Sequence, residues 1–89
     1  MPIVLVPEAY RGPTKGVARI EVKADTVRAC LDAVEAEHPG FLDLVLTPDG
    51  QPHKFVKLFM NAEQLDHDAL DARIEGDDRL EILAAIAGG

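Results

Sequence analysis

In a chain of 89 residues, only one stretch repeats apolar side chains at helical spacing, and this scarcity of helix governs what the chain can fold into. Val27, Cys30, Leu31 and Val34 fall at i, i+3, i+4 and i+7, a single stripe that leaves Arg28, Asp32, Glu35 and Glu37 for water. Asp25 or Thr26 can cap its start, because a side-chain oxygen there accepts from the free N–H groups of the first turn. His38-Pro39-Gly40 stops it, since proline bars the helical conformation for its predecessor and glycine tolerates a left-handed exit. One helix needs a sheet to bury it.

The remaining apolar runs supply that sheet. Ile3 to Val6 is too short for a helix and suits a buried strand. Arg11 to Gly16 has turn composition, and Val17 to Lys23 then alternates with Ala18, Ile20 and Val22 on one face, so the first two strands are expected to form a hairpin. Phe41 to Leu46, followed by Thr47-Pro48-Asp49-Gly50, is expected to be one irregular turn packed on the core. Lys54 to Asn61 alternates again, Val56, Leu58 and Met60 against Phe55, Lys57 and Phe59. Asn61 to Leu65 turns into a short edge strand. Asp66 to Arg73 is polar on every face, with Leu70 and Ile74 as the core anchors, and Gly76-Asp77-Asp78 turns into a last strand, Arg79 to Leu83. The order strand, strand, helix, strand, short strand, strand predicts an α+β fold. A mixed sheet with the helix across one face is the β-grasp arrangement of ubiquitin-like proteins. Residues 1–83 are expected to form this domain and 84–89 a flexible tail.

Composition narrows the function. Sixteen acidic residues against nine basic give a net charge of −7, the wrong sign for neutralising phosphates, so a nucleic-acid partner is not expected. No apolar run approaches the roughly 18 residues that span a bilayer, and Met1 to Pro7 lacks the basic flank of a signal peptide, which points to a cytoplasmic protein away from membranes. A chain this size buries roughly 60 to 65% of its unfolded surface, too little to enclose a deep catalytic cleft. His38, His53 and His67 stand in separate turns, without the spacing that puts two metal ligands on one helical face. Asp66, Asp68 and Asp71 lack the glycine hinge and terminal glutamate of a calcium loop. Cys30 is the sole cysteine, and its place on the apolar stripe assigns it to packing rather than nucleophilic chemistry. Neither an enzyme nor a resident metal or cofactor is expected.

Two features remain. Phe55 and Phe59 alternate away from the helix-facing residues of their strand, so they form a candidate partner-binding surface unless 41–46 folds over one of them. The chain then ends in Ala84-Ala85-Ile86-Ala87-Gly88-Gly89. Chance puts Gly-Gly at a terminus in about one chain in two hundred. This ending is uncharged and slim, suited to a narrow channel, with Ile86 and Ala87 as partner contacts. Glycine at the last two positions admits close approach to the terminal carboxylate. Extended, residues 85–89 reach about 15 Å, far enough to enter another protein's active site.

These residues resemble the ThiS/MoaD family of ubiquitin-like sulfur carriers over nearly the whole chain. The ending from Leu80 to Gly89 is similar to the family's final strand, apolar linker and Ala-Gly-Gly, and Lys54 to Asn61 to its central strand running into an asparagine turn. The helix with Pro39-Gly40 and the Gly76-Asp77-Asp78 turn also match, whereas Ala84 and Ala62 stand where many members carry proline and glycine. The resemblance implies a carrier whose Gly89 carboxylate, presented through Gly88, is adenylated by an E1-like enzyme and converted to a thiocarboxylate. ATP and magnesium would be used by that partner. The sulfur would pass to a synthase. Pro7, Tyr10-Arg11, the turn ending at Gly16 and Gln51 to Val56 look most like carriers serving cysteine or thio-metabolite synthesis through a cysteine-synthase-like acceptor. The alternatives are a molybdopterin-synthase small subunit working with its large subunit, and a ubiquitin-like binding module that is never activated.

Overall fold

The computed structural model describes residues 1–84. Five strands form one sheet in the order β2-β1-β5-β3-β4. They are β1 (Ile3–Leu5), β2 (Arg19–Glu21), β3 (Val56–Met60), β4 (Glu63–Leu65) and β5 (Arg79–Ala84). Neighbours run antiparallel except β1 and β5, which are parallel with Val4 opposite Leu80. The last strand is therefore the middle of the sheet. It extends one residue past the expected Leu83, because Ala84 pairs with Val56.

Period-two alternation assigns the faces. Val4, Ile20, Val56, Leu58, Leu80 and Ile82 turn to one side and are buried. Helix α1 (Val27–Glu37) lies across that side on its stripe of Val27, Cys30, Leu31 and Val34, all without solvent exposure. Thr26 is the cap, its side chain accepting from the Ala29 N–H at 3.0 Å. Leu70 and Ile74 close the core as expected. Among the described residues no helix is long and apolar enough to cross a membrane.

Residues 41–46 depart from the expected irregular turn. Phe41–Val45 is a regular short helix, α2, with Phe41 and Val45 fully buried. Its cause lies on another element. Glu35 of α1, expected to face only water, accepts from the Gly40 N–H at 3.1 Å and the Leu42 N–H at 2.8 Å, satisfying donors that a helix start leaves open. Gly40 makes the reversal at φ +100°, a conformation costly for any side chain. This helix packs on α1, so it does not cover Phe59 on the far face of the sheet.

Candidate functional site

Period two also places an uncovered face, and register arranges it in rows. Arg19, Leu5, Glu81, Phe59 and Gln64 stand opposite one another across the five strands. Lys57 and Leu83 form a second row nearer the end of β5, from which the sequence continues to Gly89. Leu83 is 40% exposed, a large apolar side chain given to solvent. Phe59 is half-buried on this face. Phe55 is not in the strand as expected. It sits in the turn before β3, 45% exposed, with the Lys54 ammonium 5.6 Å above its ring. Strand pairing ends at Val56, so Phe55 escapes the alternation that positions Phe59.

Beside Leu83, a shallow groove of about 310 Å³ runs between β1, β2 and β5. Leu5 and Leu83 give it apolar side chains, Val6 lines it with backbone because its side chain is buried in the core, and Arg11, Arg19 and Glu81 complete the lining. Arg11 is positioned by the turn after β1. Thr14, a buried hydroxyl, donates to the Val17 carbonyl at 2.8 Å, and the Gly16 N–H donates back to the Arg11 carbonyl at 2.9 Å. The Arg11 side chain then donates through Nε to the Val6 carbonyl at 3.0 Å. Sequence reasoning named neither arginine as functional. Arg19 alternates with buried Ile20 and could have been found that way, whereas Arg11 lies in a turn with no periodic signal.

At the opposite end of the sheet, Asn61 ties two turns together. Its Oδ1 accepts from the Arg79 N–H at 2.9 Å and its Nδ2 donates to Asp78 at 3.0 Å, while Asp78 also accepts from the Glu75 N–H at 3.1 Å. These donors hold the Asp78 carboxyl below its ordinary 3.8, the Asn61 amide contributing most. Asn61 and Ala62 form the two-residue β3–β4 turn at φ +51° and +71°, the left-handed pair such hairpins require.

Other candidates take structural roles. Burial, aided by the negative charge of Asp25, pushes the Cys30 thiol up to about 11, so it stays protonated and unreactive at neutral pH. His53 donates from Nε2 to the Asp43 carbonyl at 2.9 Å and His67 to the Val56 carbonyl at 3.0 Å, pinning loops. Among the described residues no three histidine, cysteine or acidic side chains come together as a metal site. Asp71 pairs with Arg28 at 3.3 Å, and Arg28 also reaches the Gly50 carbonyl, joining α1 to both flanking loops. Ile86, Ala87, Gly88 and Gly89 lie outside the described residues.

A sheet centred on a strand that leads to Gly-Gly is matched by one family model, that of the ThiS family, over residues 5–89. This chain belongs to the ThiS family. It is 30% identical over 89 residues to the sulfur carrier protein CysO of Mycobacterium tuberculosis, covering 97% of this chain and 96% of that protein. By structure it is similar to a chain in the Amycolatopsis orientalis BexX/CysO complex, with TM-score 0.88, 32% identity and full coverage of both chains. SAMP1 of Haloferax volcanii, at TM-score 0.77 and 22% identity over 99% of this chain and 98% of that one, shares the β-grasp fold.

Proposed function

We propose that this ThiS-family chain is a sulfur carrier of the CysO type whose working atom is the Gly89 carboxylate. The observation that carries the reading is the family match through residue 89, together with near-complete alignment to a protein named as a sulfur carrier. The chemistry explains the need for a partner. A carboxylate is a poor electrophile, so an E1-like enzyme, using ATP and magnesium, joins a Gly89 oxygen to the α-phosphorus and releases pyrophosphate. A sulfur nucleophile then attacks the acyl carbon and AMP leaves with that oxygen. The product thiocarboxylate is a stronger nucleophile than the carboxylate it replaces. The body of the molecule supplies recognition and its partners supply catalysis.

Resemblance to CysO favours an acceptor of the cysteine-synthase type over the large subunit of molybdopterin synthase. The test is intact mass after incubation with an E1-like enzyme, ATP, magnesium and a sulfide source. A gain equal to sulfur minus oxygen is expected, lost on deleting Gly89 while the melting temperature stays put. An unchanged mass, from an enzyme that modifies M. tuberculosis CysO in parallel, overturns the proposal. Transfer to a purified cysteine-synthase homologue, compared with a molybdopterin-synthase large subunit, separates the two acceptors.

A further inference from the structure

The free edge of β2 carries a pattern that is complementary to itself. Val6 and Val22 donate their N–H groups to the Ala18 and Pro2 carbonyls, so the even-numbered residues of this segment spend their backbone groups on β1. The N–H and C=O of Arg19 and of Glu21 therefore point off the edge of the sheet, and among the described residues nothing bonds to them. Both side chains are exposed, opposite in charge and two positions apart on one face. Ile20 between them turns its side chain into the core.

We infer that two copies of this chain pair along this edge, antiparallel about a two-fold axis through Ile20. Arg19 then lies opposite Glu21 of the second copy, and Glu21 opposite its Arg19, each couple exchanging both backbone hydrogen bonds and carrying an ion pair. Charge selects this occupant and this register. A two-residue slip centres the axis on Arg19 or on Glu21 and sets like charges face to face. A one-residue slip opposes Arg19 to Ile20, whose backbone groups already serve β1. Charge on a sheet edge ordinarily deters pairing, whereas here the signs alternate so that one pairing alone is favoured. The other edge lacks this property, since the same operation on β4 sets Glu63 against Leu65. Beside the pair, Val17, 42% exposed, comes against the aliphatic stem of Lys23 of the second copy. The net charge of −7 on each copy opposes association at long range, but salt at physiological strength screens it beyond about 8 Å, while the paired side chains are in contact. An edge three residues long makes the pair transient rather than permanent.

The test is sedimentation velocity and NMR of the full-length protein at physiological salt, from about 20 μM to about 2 mM, a span that covers the weak affinities of small interfaces. The sedimentation coefficient rises with concentration, and amide exchange at Arg19 and Glu21 slows by about threefold or more while that of Ile20 is unchanged. Arg19→Glu and Glu21→Arg, each at an exposed site, oppose like charges, and each weakens self-association by about tenfold or more. Mixing these two variants restores association to within about threefold of wild type, because each then meets the opposite sign, a result that a merely structural role for either residue does not give. A wild type that stays monomeric at the highest concentration overturns the inference. So does association that leaves exchange at Arg19 and Glu21 unchanged, or a mixture that pairs no better than the single variants. Protection of these amides that is independent of concentration and arises only on adding the adenylating enzyme also overturns it, and assigns the edge to that enzyme.

Discussion

The two ends of the sheet are built to opposite specifications. At the Asn61 end, side chain and backbone close on one another, with Asn61, Asp78, Arg79 and Glu75 exchanging hydrogen bonds across 18 positions of sequence. At the Leu83 end, Leu83 and Arg19 are given to solvent, and the Arg11 side chain is held by a bond to the Val6 carbonyl. The Asn61 end is tied by side-chain bonds beside an open hollow of about 510 Å³, and the Leu83 end leaves a large apolar side chain to solvent. Strands that pass through both ends set this exposed surface on the same scaffold as the Asn61 bonds.

Variants can break or sharpen this contrast. The largest effect belongs to what the ends share. Leu58, opposite Leu65 and Ile82 at the centre of the sheet, is 1% exposed, and Leu58→Ala costs about 2 to 5 kcal/mol in urea unfolding. Asn61→Ala comes next, at about 1 to 3 kcal/mol, because the Arg79 N–H loses its acceptor and alanine inherits a left-handed backbone. Its KM for the adenylating enzyme stays at the wild-type value if the ends are independent, and a raised KM would show that they are coupled. Ala62→Gly should gain roughly 0.5 to 1 kcal/mol, since φ +71° is a strain glycine does not feel. Acid supplies a smaller effect at the same end. The Asp78 carboxyl titrates below its ordinary 3.8, so its contribution is present above about that pH and disappears as pH falls through the lowered value. The melting temperature of Asp78→Asn should therefore approach that of wild type as pH is lowered from 5 to about 2.5. Least of all, Leu83→Ser should change stability by no more than about 0.5 kcal/mol in the same unfolding assay while weakening partner turnover, the inverse of Asn61→Ala.

How legible each end was in the sequence follows from the range of the forces that build it. Alternation and helical spacing are local, so the strands, the stripe from Val27 to Val34 and the buried anchors Leu70 and Ile74 could be read directly. Helix α2 could not, because the carboxylate that starts it belongs to Glu35, on the preceding helix. Phe55 was misplaced for a related reason. Alternation describes a residue only while it is paired, and pairing begins one residue later. The Asn61 clamp was invisible because its partners lie in a distant turn, and the Asn-Ala pair lacks the glycine that usually announces a left-handed hairpin. The groove needed Arg11 from a turn, Arg19 from β2 and Leu83 from β5, a combination that exists only once the sheet has assembled.

That the final strand occupies the middle of the sheet bears on how the molecule is made. Until Arg79–Ala84 emerges from the ribosome, β1 with β2 and β3 with β4 are separate hairpins with no strand to join them. A prematurely terminated product thus lacks the piece that unites the architecture, and proteases would clear it as an unfolded fragment. Folding in this way couples closure of the whole sheet to synthesis of its joining strand, because the body is complete only after Ala84 has been made.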